Sequence, residues 1–354
     1  MITVQHLIDD AGLGGVTRYL DTIEARLGLS GSQTRHVVAT NFALPPALDA
    51  DVVVVHFTAG LRKLPFLAAL RARRGRRPIV LIEHTYTEQF EALNVPSSRR
   101  FRGMLRFAYR LADRVVAVSY GQAAWMRSAR LVSAQRLAVI PSFTDCEHLA
   151  TLPLTARTDG APLRLGAYGR YCRQKGFDTL IEAMRYVPAE IATLTLRGFG
   201  DEQAQLKALA ADLPHVEVGG PITDLKSFLS SVDAIVMPSR WEAFGQVALE
   251  ARMAGLPVIA HAVDGLSEQI EPQAGLQILS DEPSVLARAI RDLAQVTDFL
   301  SMRHAARDSA LHHGERSLAA WRQLLSELPI QTTAKPVQSP APQHVRKTSN
   351  MPAN

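Results

Sequence analysis

At 354 residues the chain is long enough for two ordinary domains, each with its own buried core. Hydrophobic residues make up 47% and charged residues 21%, which excludes a disordered chain; two cysteines, Cys146 and Cys172, exclude a disulfide scaffold, and no Cys/His spacing suggests structural zinc. The net charge of +5 is uneven, with 19 Lys+Arg against 12 Asp+Glu (+7) over residues 1–150 and 20 against 22 (−2) over the rest, which points to an anionic partner for the first half.

The N-terminal MITVQHLIDDAG carries aspartates where a signal peptide would carry an apolar run, and no stretch approaches the roughly 18 to 20 apolar residues of a membrane span. The expectation is a soluble cytoplasmic protein. Short aliphatic runs alternate with helical-period stretches, the pattern of a doubly wound parallel sheet. In the first half the predicted strands are Thr3–Leu7, His36–Thr40, Val52–Val55, Ile79–Ile82, Val115–Val118 and Leu137–Ile140. In the second they are Leu163–Ala167, Ala192–Leu196, Val216–Val218, Ala234–Met237, Pro257–Ala260 and Leu276–Ile278. Runs such as DVVVVHF and DAIVMPS suit strands buried on both faces. Two such halves place a ligand in the cleft between them, at the carboxyl ends of the strands.

The motifs do follow strands. After the first comes DDAGLGGVTRYL, a glycine loop opening a helix, with Gly14 and Gly15 at its turn. A dinucleotide site would want a carboxylate after the second strand, where Ala39, Thr40 and Asn41 stand, so NAD is disfavoured and a plain tight turn remains open. His56 ends DVVVVH and His84 ends IVLIEH; either fits a satisfied structural histidine or a cleft ligand. Basic residues cluster twice, as Arg71, Arg73, Arg74, Arg76 and Arg77, and as Arg102, Arg106, Arg110 and Arg114 at four-residue spacing. The second set is one helical stripe, which could rest on an anionic membrane surface or simply be solvated. No nucleic-acid motif accompanies the charge, so nucleic acid is not expected as a partner.

Residues 147–162 read as a polar interdomain linker. In LGAYGRYCRQKGF a strand ends at Gly169–Arg170 and Lys175–Gly176 opens a helix, so that two cations five residues apart can reach one diphosphate, or merely be solvated. In PSRWEAFGQVALEARMAGLPVIA, Glu242 sits in a turn after a strand and a helix is expected to open at Ala243–Phe244. Glu250 follows eight residues on, about 12 Å of rise if the segment is helical throughout. The amides near Phe244, Gly245 and Gln246 would face a pyrophosphate, with a carboxylate at each end for the hydroxyls of a sugar and of a ribose. An amphipathic helix with two ordinary glutamates fits the same letters. Residues 306–328 form a last helical pattern whose Trp321, Leu324 and Leu325 suit packing, and the segment from 330 to 354, with four prolines and almost nothing to bury, is expected to be disordered.

Taken together, the last two motifs resemble the retaining family 4 (group 1) glycosyltransferases. Glu242, Phe244, Gly245, Glu250, Ala251, Ala254 and Gly255 match that family's E-x7-E signature, with Ala243 in place of its glycine, and Arg170, Lys175 and Gly176 match its G-R-x-x-x-x-K-G element. The resemblance covers roughly residues 1–328 and implies an α/β GT-B architecture. That means two facing Rossmann-like domains, 1–146 on the acceptor side and 163–314 holding the nucleotide sugar, with a helix at 315–329 crossing back to the first. It implies transfer of a sugar from a UDP- or GDP-sugar to a saccharide or lipid-linked acceptor hydroxyl, with retention, in surface polysaccharide or glycolipid synthesis. Arg170 and Lys175 would then neutralise the leaving diphosphate, Glu242 contact the donor sugar, Glu250 the ribose, His84 the sugar, and Gly14, Gly15 and Gly169 the phosphates. No DxD pair lies on a matching loop, so no metal and no cofactor is expected. The family's N-G-V-D turn is replaced by Ser142–Phe143–Thr144–Asp145. A sugar-nucleotide epimerase or hydrolase on the same fold, or a non-catalytic sugar-nucleotide- or membrane-binding module, is the alternative.

Overall fold

The computed structural model describes residues 2–9, 15–27, 33–38, 44–158 and 160–330; Gly14 and the segment after Ile330, expected to be disordered, lie outside the described residues. Twelve strands alternate with twelve α-helices among these residues. The strands are β1 (Val4–Ile8), β2 (Gln33–Val37), β3 (Val52–Val55), β4 (Ile79–Glu83), β5 (Arg114–Ala117) and β6 (Leu137–Val139), then β7 (Leu163–Arg170), β8 (Ala192–Phe199), β9 (Val216–Gly219), β10 (Ala234–Met237), β11 (Val258–His261) and β12 (Gly275–Ile278). The helices are α1 (Gly15–Arg26), α2 (Leu64–Arg73), α3 (Glu88–Asn94), α4 (Ser98–Arg110), α5 (Tyr120–Ser128), α6 (Phe177–Met184), α7 (Gln203–Ala210), α8 (Leu225–Ser230), α9 (Gln246–Met253), α10 (Pro283–Ala294), α11 (Phe299–Ala310) and α12 (His313–Glu327).

The strands form two six-stranded parallel sheets, ordered β2-β1-β3-β4-β5-β6 and β12-β11-β10-β7-β8-β9. This is the α/β GT-B arrangement that the motifs imply. The apolar runs become strands because each is covered by helices on both faces; β3, β4 and β10 are buried at every residue. The second strand is the one whose position differs. It lies three residues earlier than His36–Thr40, in register Val4↔Gln33 through Ile8↔Val37. As an edge strand exposed at Thr34 and Val37 and with little aliphatic content, it is fixed by its ladder to β1.

In each sheet the order reverses at one place, between β1 and β3 and between β7 and β10. Ligands of doubly wound sheets bind outside the carboxyl ends of strands at such switch points. The loops after β1, β4, β7 and β10 carry the predicted site residues. The stretch between the sheets is packed down: Leu149 and Leu152 are buried, and Arg307 and Arg303 donate to the carbonyls of Leu152 and Thr155. From α12, Trp321 donates to the Tyr19 hydroxyl at 2.8 Å and Ser317 to the Pro141 carbonyl at 2.8 Å, so this helix is joined to the first sheet's side of the cleft.

Candidate active site

The two sets of loops enclose a cavity of about 660 Å³. Gly15 and His84 line it from one side; Gly169, Arg170, Lys175, Glu242 and Phe244–Gln246 line it from the other. Residues that are separate in sequence thus share one wall-to-wall space. The eight-residue ladder of β7 with β8, from Leu163↔Ala192 to Arg170↔Phe199, carries Arg170 to the rim. A short 3₁₀ turn, Arg173–Lys175, then brings the Lys175 Nζ within 2.5 Å of Glu242 Oε2, and the two side chains are only 18% and 12% exposed. Backbone contacts knit the two loops: Arg240 N donates to Gln174 O at 2.8 Å, and Gln174 Nε2 to Trp241 O at 3.1 Å.

The helix carrying Glu250 opens at Gln246, not at Ala243–Phe244. Gly245 sits in the left-handed region with φ +95°, and the buried Gln269 side chain donates to the carbonyls of both Phe244 and Gly245. The Phe244 carbonyl, taken by a side chain from another loop, is withdrawn from the helical ladder, the Gly245 carbonyl is shared between Gln269 and Ala248 N, and the segment from Glu242 to Gly245 lies outside the helix. The amides of Phe244 and Gly245 therefore precede the helix, and the Gln246 side chain bridges the domains by donating to Gly15 O and Ser142 Oγ at 3.2 and 3.3 Å. Glu250 is 2% exposed and lies behind the cavity wall. Its Oε1 accepts from Arg18 at 2.6 Å and its Oε2 from the Tyr168 hydroxyl at 2.7 Å. Burial and this carboxylate push the Tyr168 phenol well above its ordinary range.

His84 follows β4 on a turn that the buried Glu83 closes. Glu83 Oε1 accepts from the amides of Thr85 and Tyr86 at 2.9 and 3.1 Å, and Oε2 accepts from the Tyr109 hydroxyl at 2.9 Å. Burial lowers His84 to about 4, so its ring is neutral across the physiological range. Among the described residues, no group of three or more His, Cys, Asp or Glu side chains is arranged to hold a metal ion.

Sequence comparison bears on the same residues. The family model described as Glycosyltransferase Family 4 matches residues 13–148, and that described as Glycosyl transferases group 1 matches residues 162–295. The chain belongs to the family 4, group 1 glycosyltransferases. Among curated glycosyltransferases it is 29% identical over 209 residues to the lipopolysaccharide core biosynthesis mannosyltransferase LpsB of Rhizobium meliloti, covering 54% of this chain and 58% of that one. It is 33% identical over 178 residues to the D-inositol 3-phosphate glycosyltransferase of Pseudarthrobacter chlorophenolicus, covering 45% and 42%. The chain thus spans about half the length of these relatives. The fold matches the crystal structure of Anabaena Alr3699/HepE in complex with UDP at a TM-score of 0.69 and 19% identity, over 92% of this chain and 99% of that one. It matches WaaG, a glycosyltransferase involved in lipopolysaccharide biosynthesis, at 0.64 and 16%, over 89% and 98%.

Four residues of the cleft have no counterpart among the residues singled out from the sequence. Arg18 and Tyr168 hold Glu250, and Gln269 holds the Phe244–Gly245 turn. The fourth is Asp264, in the left-handed region with φ +45°. Its Oδ2 accepts from Glu242 N and its Oδ1 from Gln89 N in the other domain, both at 3.1 Å, so it ties the Glu242 turn to the first turn of α3, beyond His84. It lies with Gln269 in VDGLSEQI, residues 263–270, within the span that the group 1 family model matches.

Proposed function

We propose that the protein transfers a sugar from a nucleotide-sugar donor to an acceptor hydroxyl with retention at the anomeric carbon and without a metal ion. The observation that carries this reading is the meeting of Arg170, Lys175 and Glu242 in one cavity opposite His84. Two cations suit a diphosphate whose negative charge grows as the sugar–phosphate bond breaks. Glu242, paired with Lys175 before the donor arrives, takes the sugar hydroxyls; the ribose reaches Glu250 by replacing Arg18 or Tyr168 on its oxygens. Gly15, Gly169 and the turn Phe244–Gln246 leave room for the phosphates; Gly14, expected to face them as well, lies outside the described residues. The Anabaena protein whose fold matches was crystallised with UDP and with UDP-glucose, which supports a nucleotide sugar as the substrate.

The test begins with thermal shift against UDP-glucose, GDP-mannose and ADP-glucose, since a bound donor stabilises by mass action. Consumption of the best donor is then followed with and without a lipid-linked saccharide acceptor. Transfer needs both substrates and gives a product of unchanged anomeric configuration by NMR; an epimerase or hydrolase needs the donor alone, and a binding module consumes nothing. No stabilisation by any nucleotide sugar overturns the reading.

The acceptor in this reading is a saccharide on an anionic membrane, and the enzyme works at the cytoplasmic face. No helix among the described residues is long and apolar enough to cross a membrane. The arginine stripe of α4 is divided in the structure. Arg102 pairs with Glu91 at 2.7 Å, and Arg106 donates to the carbonyls of Ala129 and Arg130. Arg106 and Arg110 both join Arg127, Arg130 and Arg136 around a cavity of about 560 Å³ at the amino ends of β5 and β6, away from the cleft. Replacing Arg110, Arg127 and Arg130 by Gln is expected to reduce cosedimentation with phosphatidylglycerol vesicles several-fold while Arg102→Gln does not. Equal sedimentation of the triple variant and the wild type refutes the membrane contact.

A further inference from the structure

His84 is the last of three histidines in a row. They come from adjacent strands: His6 on β1, His56 just after β3 and His84 just after β4. His6 Nδ1 lies 2.9 Å from His56 Nε2, and His56 Nδ1 lies 3.2 Å from His84 Nε2. The far end is closed by Gln33 on β2, whose Oε1 is 3.0 Å from His6 Nε2. His6 and His56 are almost completely buried, at 1% and 4% exposure, and the His56 and His84 rings are stacked with centroids 5.5 Å apart. The arrangement is a line, not a convergent cage, and the described residues contain no metal-ligand group.

The direction of every hydrogen bond in this line follows from its far end. The Gln33 amide nitrogen faces the carbonyls of Ile23 and Glu24 at 3.5 and 3.4 Å, so the amide oxygen is the atom that faces His6. That oxygen only accepts, so His6 carries its proton on Nε2 and presents a bare Nδ1. His56 must then donate from Nε2 to His6, which leaves its own Nδ1 bare. His84 in turn donates from Nε2 to His56. Its remaining nitrogen, Nδ1, carries no hydrogen and has no hydrogen-bond partner among the described residues, on a ring that lines the donor cavity.

We propose that Gln33, His6 and His56 are positioning residues that hold His84 in the neutral Nε2–H tautomer, so that its Nδ1 accepts a hydrogen bond from a hydroxyl of the bound sugar. The inference rests on the reading of this cleft as a nucleotide-sugar site. Burial opposes a charge anywhere in the row: it lowers His6, lowers His56 well below the ordinary range with His6 and His84 adding to the effect, and lowers His84 to about 4. The charged neighbours are Glu24 and Arg35 beside His6, with Arg35 also acting on His56, and Tyr19 sets its ring edge-on to both His56 and His84. Arg35 is itself paired with Asp21 and Glu24. A neutral row is what these surroundings favour.

Two measurements on the 354-residue chain test the proposal. Long-range ¹H–¹⁵N spectra of histidine-labelled protein between pH 5.5 and 8, with His84→Asn supplying the assignment, should show the Nε2–H tautomer of His84 throughout. An Nδ1–H tautomer, an average of the two, or an imidazolium above pH 6 overturns it, whatever the enzyme's substrate. Binding of UDP-glucose and of UDP, or of GDP-mannose and GDP if those stabilise the fold more, is then compared in His56→Phe, which keeps a ring in the stack but offers no nitrogen. The nucleotide sugar should bind about five-fold more weakly and the nucleoside diphosphate, which lacks the sugar, as in the wild type. Equal weakening of both would make His56 merely structural and defeat the proposal. Should His56→Phe fail to fold, Gln33→Leu at the half-buried end of the row should mix the His84 tautomers, and an unchanged tautomer there is equally fatal. If the wild-type tautomer is as stated but His84→Asn binds UDP-glucose and GDP-mannose normally, the row stands and the assignment of the sugar to this side of the cleft falls.

Discussion

Lys175→Ala is expected to lower kcat by about 10²–10³, the usual loss when one group that stabilises developing charge is removed. The ammonium has two tasks in sequence. Before the donor binds it neutralises Glu242, whose remaining side-chain hydrogen bond is a long one, 3.4 Å from Ser239 Oγ. In the proposed reaction it would meet the leaving diphosphate, where charge increases from ground state to transition state, so its loss should appear in kcat more than in donor affinity. Removing half of a buried ion pair can cost about 3–5 kcal/mol; Glu242 borders an open cavity, so solvation reduces this to about 1–2 kcal/mol and the fold survives. Adding Glu242→Gln should therefore recover the melting temperature of Lys175→Ala without recovering turnover, which separates the two tasks. Lys175→Arg should rescue poorly, because a wide planar fork does not replace a compact charge in this turn. EDTA should leave wild-type turnover unchanged. Near-normal turnover in Lys175→Ala, or activity abolished by the chelator, would refute the role.

The two sheets were legible in the sequence because parallel strands covered on both faces are continuous apolar runs, and DVVVVHF or DAIVMPS leaves little choice. The edge strand β2 was the weak point, since its position depends on a neighbour. The loops of the site were legible for a related reason: a doubly wound sheet sends every post-strand loop to the same edge, so His84, Arg170 and Glu242 could be grouped before any contact was known. Pairings across the cleft were not legible. Arg18 and Glu250 are 232 residues apart and Asp264 and Gln89 175 apart. Nothing local in either segment marks its partner. The start of α9 was hidden for the same reason, since the conformation of Gly245 is held by Gln269, 24 residues on. The arginine stripe shows the limit of periodicity. Spacing puts Arg102, Arg106, Arg110 and Arg114 on one face, but packing sends the first to Glu91, the second and third to a basic cavity, with the second also donating to two carbonyls, and the fourth into β5.

Gly176→Ala should damage the protein more than its single added methyl suggests. Gly176 has φ +64°, and a Cβ there would lie 2.2 Å from the carbonyl oxygen of Pro238. The conformation alone costs an L-residue about 1–2 kcal/mol. The clash adds to it, because the obstructing atom is backbone at the end of β10 and cannot rotate away. Gly160 provides the control: its φ is +74° and, among the described residues, nothing lies within 4 Å of the position its Cβ would take. Gly160→Ala is therefore expected to lose only the conformational part, and Gly176→Ala roughly 3 kcal/mol or more in total. At about 2–4 °C per kcal/mol for domains of this size, the second variant should melt roughly 6–12 °C below the wild type. Activity should fall further than stability explains. Gly176 sets the spacing between the loop that holds Lys175 and the loop from Pro238 to Glu242, and pushing them apart lengthens the 2.5 Å contact on which the site is built. Calorimetry on both variants, with turnover measured well below the melting range, checks this. A Gly176→Ala protein that melts within a degree of Gly160→Ala would mean that the Pro238 strand end yields freely, and that the tight approach of the two loops is not what holds Lys175 against Glu242.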